Sequence, residues 1–246
     1  MSKPTKVKDK VKPSGRWQFD QEVTDAFDDM LERSIPQYEV MRRTVTDLAA
    51  YTLGKSGGGV LDIGCSRGGA LAELVEMFPD RQMAGVDASE PMVAAADARF
   101  GANPHLYVYR ADLRDGNLAR YTIGETSCVL SVLTLQFVPI EYRLQILGEV
   151  FDLLAPGGAL VVVEKLLGES PFCDRMWRDV YHAEKSRHGY PKEAITRKAA
   201  SLEGVLVPVT ARANEEMLSG AGFRPVECFW RWCNFAGWYA RKPSGS

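Results

Sequence analysis

The stretch Val60-Leu61-Asp62-Ile63-Gly64-Cys65-Ser66-Arg67-Gly68-Gly69 constrains this chain more than any other. A short apolar run ends beside an acid, a glycine-rich turn follows, and residues 70–78 have the pattern of a helix. Strand, glycine turn and helix form the opening unit of a nucleotide-binding α/β sheet. Glycine suits such a turn because the backbone must bend tightly and let a ligand approach with no Cβ in the way.

The residues beyond Gly69 repeat that unit. Apolar runs at 82–86, 106–109, 126–132 and 159–163 predict strands, and the segments 92–100 and 141–154 predict helices between them. Ser89 is placed to cap one helix, with Pro91 in its first turn. Pro156-Gly157-Gly158 is a stop-and-turn signal after another. Such alternation predicts a mostly parallel, doubly wound sheet. Two aromatic-rich runs, 226–232 and 234–240, predict an antiparallel hairpin that closes it. Further helices are expected at 192–202 and 210–218.

Flanking segments complete a single domain over 16–246. Residues 16–54 read as two helices split at Pro36, either a lid over a ligand or a cover for the sheet edge. Residues 166–205 read as a helical cap insertion. Residues 1–15 carry Lys3, Lys6, Lys8, Lys10 and Lys12 with almost nothing apolar, which predicts a mobile basic tail. The whole chain has a net charge of −2, so nothing outside that tail suggests nucleic acid. The five cysteines include no CxxC pair, which argues for reduced thiols, a cytoplasmic setting and no metal site. No apolar run is long enough to span a membrane.

Three acids stand at the carboxyl ends of successive predicted strands, Asp62, Asp87 and Asp112. Ligands of open α/β sheets bind outside those ends, so all three face one crevice. Asp87 is placed for both hydroxyls of a ribose, Asp112 for an adenine amino group and Asp62 for an ammonium. The turn lacks the second glycine of a dinucleotide fingerprint and the GK[ST] ending of a P-loop. D-x-G-x-x-x-G with strand-end acids instead fits S-adenosylmethionine, which has no phosphate. The expected architecture is a Rossmann-like class I methyltransferase fold with a seven-stranded sheet.

Particular segments carry a closer resemblance. Arg16-Trp17-Gln18-Phe19-Asp20, Ser34-Ile35-Pro36-Gln37-Tyr38, Asp62-Ile63-Gly64-Cys65-Ser66, Thr134-Leu135-Gln136-Phe137, Glu164-Lys165, Gly189-Tyr190 and Cys233-Asn234-Phe235 resemble carboxy-S-adenosylmethionine synthases. The resemblance covers nearly everything after the tail. It implies a class I methyltransferase-like fold and a homo-oligomer, expected as a dimer. It also implies synthesis of carboxy-S-adenosylmethionine from S-adenosylmethionine and prephenate, for modification of the tRNA wobble uridine. The cofactor contacts it implies are Tyr38, Gly64, Cys65, Ser66, Asp87, Asp112 and Leu113. Gly68, Ala88, Ser131 and Val132, in the turn and at the ends of the second and fourth strands, complete the expected cofactor set with Asp62.

Two positions depart from the resemblance. Val132 stands where the family has an asparagine, and Ala199 where it has an arginine that pairs with the extra carboxylate. A carboxylate in a dry site needs a charge-assisted partner, which alanine does not supply. This favours a relative using S-adenosylmethionine as an ordinary methyl donor, by in-line transfer to a small anionic acceptor, with S-adenosylhomocysteine as product. The synthase itself is the alternative, and a non-catalytic S-adenosylmethionine-binding scaffold is the third reading. His182 is a candidate general base or a surface histidine. Lys165, Arg178 and Lys185 are candidates for an anionic substrate or a solvated helix face.

Overall fold

A computed structural model describes residues 9–245. Helices α1 (Gln21–Ser34) and α2 (Tyr38–Ser56) precede the sheet. Asp20 caps α1 by accepting a hydrogen bond from the Val23 N–H, and Gly57 ends α2 in a left-handed conformation. There follow β1 (Gly59–Ile63), α3 (Gly69–Met77), β2 (Met83–Asp87), α4 (Glu90–Phe100), β3 (Leu106–Arg110), β4 (Thr126–Val132), α5 (Ile140–Leu153) and β5 (Leu154–Lys165). Helices α6 (Pro171–Arg187), α7 (Lys192–Ser201) and α8 (Ala211–Gly220) then lead to β6 (Val226–Trp232) and β7 (Phe235–Arg241).

The sheet has seven strands in the order β3-β2-β1-β4-β5-β7-β6. The first five are parallel, and β7 is antiparallel to both of its neighbours. The expected C-terminal hairpin is present, and its second strand is the one inserted against β5. Both sheet faces are covered, so every residue of β1 is buried. One core lies between the sheet and α5 and α8, with Leu61, Ile146 and Trp238 in it. The other, with Val60, Leu53 and Leu71, lies against α2 and α3.

One expected boundary moves. Strand β5 begins at Leu154, not at 159, because Leu154 already pairs with Thr126. The Pro156-Gly157-Gly158 run is an irregularity inside the strand. Its Gly157 N–H donates to the Lys242 carbonyl, and Gly158 accepts from the Lys242 N–H.

A third apolar cluster joins the ends of the chain's lid and cap. Trp17, Val23, Met30 and Met92 are buried there, with Val11, Phe19, Phe137, Leu202 and Val205 against them. Of the expected mobile tail, residues 1–8 lie outside the described residues. Residues 9–15 pack on the domain: the Asp9 N–H donates to Asp29, Asp9 accepts from the Tyr190 hydroxyl, and Val11 joins the third cluster. An apolar residue and a half-buried acceptor inside the basic stretch are what tie it down. No helix among the described residues is long and apolar enough to cross a membrane.

Candidate active site

The carboxyl ends of β1, β2 and β4, the two lid helices and the cap enclose a cavity of about 650 Å³. Its lining includes Tyr38, Asp62, Gly64, Cys65, Ser66, Asp87, Ala88, Asp112, Leu113 and Val132 of the expected cofactor set. Lys165, Lys185 and His182 also line it.

The turn after β1 is held by its own backbone. The N–H groups of Gly64 and Cys65 both donate to the Val86 carbonyl. Gly64 has φ +74°, and a Cβ there would lie 2.3 Å from the Thr134 side chain, so glycine lets the loop after β4 close on this turn. Ser66 adopts φ 48° and its N–H donates to Asp87 at 2.9 Å. The other Asp87 oxygen accepts from the Ser89 N–H at 2.8 Å. Asp87 is thus fixed in place while it lines the cavity. Burial raises its pKa, and these backbone hydrogen bonds oppose the rise.

Asp62 is 2% exposed, and burial pushes its pKa up to about 7, with Arg42 pulling the other way. Asp112 differs. It is held below the usual carboxylate range by its hydrogen bonds to the Arg114 guanidinium, so much of its acceptor capacity is already taken. Three carboxylates at this end suit the hydroxyl, amine and sulfonium groups of S-adenosylmethionine.

Behind the acids, a buried carboxylate ties down the loop after β4. Glu164 accepts from the N–H groups of Leu135 (2.9 Å) and Gln136 (2.8 Å). The Gln136 side chain in turn accepts from the Lys165 N–H at 2.7 Å. Arg143 donates to the carbonyls of Val138 and Val207, joining this loop to the segment after α7. Burial raises the Glu164 pKa to about 8, against those N–H groups and Arg143.

The cap forms a cationic wall. Lys165 comes from the end of β5, Lys185 from α6 and Lys198 from α7. Aromatic rings flank each ammonium: Lys165 lies 4.8 Å from the Tyr181 centroid, Lys185 5.0 Å from Tyr190, and Lys198 4.7 Å from Trp17. Among the described residues, no carboxylate forms an ion pair with any of the three. Burial lowers their pKa values to about 8, about 7 and about 8 respectively. His182 stands beside them, and burial, followed by the charges of Lys185, Lys165 and Arg178, lowers its pKa.

Three expected residues are not in the lining. Gly68 packs under the turn, where a Cβ would lie 2.2 Å from the Phe100 ring, so its glycine serves packing. Ser131 is fully buried in β4 with its hydroxyl unpartnered. Strand alternation points it away from the crevice that Val132 faces. Arg178 is exposed and outside the lining: it shares the helical face of Tyr181, His182 and Lys185 but lies a turn nearer the start of α6, from where its charge still acts on His182. The cavity also has walls that were not expected. Arg42 on α2 follows Tyr38 by one helical turn, a signal available in the sequence. Lys198, next to Ala199 on α7, lines the cavity as well.

Comparisons with known proteins agree with this architecture. Residues 60–158 match the family described as "Methyltransferase domain". The carboxy-S-adenosyl-L-methionine synthase of Wolinella succinogenes is 36% identical over 229 residues, covering 92% of this chain and 94% of that protein. The synthase of the same name from Methylococcus capsulatus is 38% identical over 230 residues, covering 91% and 93%. Among solved structures, an O-methyltransferase family protein from Burkholderia thailandensis superposes with a TM-score of 0.63 at 18% identity. It covers 92% of this chain, which spans only 61% of that longer protein. That likeness is one of fold. Full-length similarity to the synthases goes further: the chain belongs to the carboxy-S-adenosyl-L-methionine synthase family, enzymes built on the S-adenosylmethionine-dependent methyltransferase fold.

Proposed function

We propose that this protein makes carboxy-S-adenosylmethionine from S-adenosylmethionine, with prephenate as the carboxyl source. The observation that carries the reading is the polarity of one cavity, with acids at the strand ends and unpaired lysines on the cap. A methyl-sulfonium ligand carries positive charge and an ammonium, which suit the acidic end. The carboxyl source and the product's new carboxylate are anions, which suit the cationic end. Position 199 supplies no charge, but Lys198 beside it on α7 and Lys165 and Lys185 from β5 and α6 supply it.

Carboxylation replaces a hydrogen of the S-methyl carbon by a carboxylate. Prephenate breaks its ring–carboxyl bond to release CO₂ and expels its ring hydroxyl as the ring becomes aromatic, leaving phenylpyruvate. The proton lost from the methyl carbon converts that hydroxide to water, and the methyl carbanion takes up the CO₂. Asp87 and Asp62 orient the nucleoside and amino-acid portions. The lid and the third apolar cluster keep water out, which strengthens every charge interaction inside. His182, on the same wall, carries an imidazole able to relay this proton.

Methyl transfer to a small anionic acceptor is the second reading, favoured by Val132 and Ala199. A mass spectrum of the small molecules after incubation with S-adenosylmethionine and prephenate separates the two. The expected product is heavier than S-adenosylmethionine by one carboxyl group and forms only with prephenate. Intact S-adenosylmethionine, in a protein shown to bind it, overturns the synthase reading. S-adenosylhomocysteine formed only with an added anionic acceptor supports the methyltransferase. A protein that binds but never turns over is a scaffold.

A further inference from the structure

We propose that residues 9–19 form a strap that gates the cavity. Latched to the cap at Asp9 and pivoting at Phe19, it swings off before S-adenosylmethionine enters or a product leaves. Such a gate serves either reaction above, since S-adenosylmethionine enters this cavity in both.

Residues 9–19 contain no helix or strand, so they lack the ladder of backbone bonds that holds the other walls. The segment is fastened instead at separate points to two bodies. At its start the Asp9 carboxylate accepts from the Tyr190 hydroxyl, just beyond α6, at 2.6 Å. The Asp9 N–H donates to Asp29 of α1 at 2.9 Å. Further on, the Trp17 N–H donates to the Ser201 carbonyl at the end of α7, at 2.8 Å. The strap thus lies across the seam between the lid helices and the cap. Its latch at Asp9 is half-buried, where water competes for the same bond.

The strap has an inner and an outer side. Lys10, Lys12 and Ser14 are exposed, while Asp9, Val11 and Pro13 between them are half-buried. Trp17 and Phe19 face inward and line the cavity. Their rings meet edge-on at 6.2 Å, and Phe19 meets Phe137 in the same way at 5.0 Å. This aromatic plug closes the space without covalent or ladder ties to it. The far end is fixed. The Phe19 carbonyl accepts from the Ser89 hydroxyl at 2.5 Å, and Asp20 caps α1. The Ser89 N–H in turn donates to Asp87. The pivot therefore rests on the acid that orients the nucleoside, so a bound nucleoside steadies the closed strap. Where ligand passes only through the open form, loosening the latch raises the open fraction of free and bound protein by the same factor. Entry and exit then quicken together, and the Kd stays where it was.

Stopped-flow fluorescence with the full chain and S-adenosylmethionine reads both rate constants, and hydrogen exchange reads the strap itself. The variants are Tyr190→Phe, which removes the latch hydroxyl, Asp9→Ala and Lys12→Ala. Tyr190→Phe is expected to raise the association and dissociation rates alike, about fivefold or more, with the Kd within about twofold. Asp9→Ala should do the same, and the double variant should add little to it, because both changes break one bond. Lys12→Ala, on the outer side, should change neither rate. Exchange at residues 9–17 should quicken in the two latch variants, while unchanged exchange in β1 and β4 reports an intact fold. A dissociation rate that rises alone, carrying the Kd with it, makes the strap an ordinary wall and overturns the gate. Unchanged rates in both latch variants overturn it as well. Paired rate increases in a protein that forms no carboxylated product support the gate and overturn the synthase reading alone.

Discussion

The acidic end of the cavity is held by backbone close in sequence to the acids themselves, whereas the cationic end is gathered from β5, α6 and α7. Asp87 receives N–H groups from Ser66 and Ser89 and is rigid before any ligand arrives. The three lysines have ring faces beside them and, among the described residues, no carboxylate in ion-pair contact. One end is preorganised by hydrogen bonds, and the other is a store of unbalanced charge. The difference teaches that the two ligands should respond in opposite ways to the same perturbation.

The largest separation is expected from Asp87→Ala. It removes the acceptor for two backbone N–H groups as well as the hydroxyl partner of the nucleoside. S-adenosylmethionine affinity should fall about a hundredfold or more, while phenylpyruvate binding to the unliganded protein changes little. Calorimetry with each ligand separately checks this. Equal losses for both would mean that the two ends are not independent.

Opposite pH slopes come next. The lysine wall binds a carboxylate only while its ammonium groups hold their protons, and these lysines lose them near pH 7 to 8. Prephenate affinity should therefore fall as pH rises from about 7 to 9. Asp62 gains its charge near pH 7, so S-adenosylmethionine affinity should rise from about pH 6 to 8. Titration of each ligand across this range reads both slopes.

Stability of the free protein gives a smaller effect. An unfolded lysine keeps its proton to its ordinary value of 10.5, but these three release theirs well below it when folded. Between about pH 8 and 10 the unfolded state binds more protons, so this wall makes stability rise with pH. Thermal melting should show that rise, and Lys185→Met should flatten it. The smallest change is expected from Glu164→Gln. It sets an amide N–H₂ against one of two backbone donors and costs about 1–3 kcal/mol of stability. The affinity of either ligand should shift only through the loop at Gln136, so a thermal melt should record more change than either titration.

The sequence carried the acidic end because each of its parts is local. The β1 turn, Ser89 with Pro91, and acids just after apolar runs are all short-range signals, and the strands and helices around them were legible for the same reason. The cationic end was legible only in pieces. Lys165 and Lys185 stood out by following the fifth strand. Arg178 did so equally, because it shares the helical face of Lys185. What the sequence does not say is how far along α6 the cavity reaches, and the wall includes the turn of Tyr181 and Lys185 but not that of Arg178. Gly68 and Ser131 were misplaced for a related reason. A motif says that a glycine or a small residue is needed, while only the neighbouring Phe100 ring or the strand's alternation says whether a ligand or the core needs it. The start of β5 was hidden because Pro156-Gly157-Gly158 reads as a break, and only pairing with Thr126 and Lys242 reveals a strand.

The segment from Asp9 to Trp17 has a consequence for the order in which the molecule is completed. Asp9 is bound by Tyr190, a residue 181 positions later, and the Trp17 N–H meets Ser201. A ribosome must therefore release most of the chain before these two contacts can close, although Asp9 can meet Asp29 and Trp17 can pack on Met30 much earlier. Contacts of such separation are entropically the slowest to close. The parallel sheet can form while these residues wait, so the wall that faces the anion is finished last. Fusions or truncations at the amino end act on that final step.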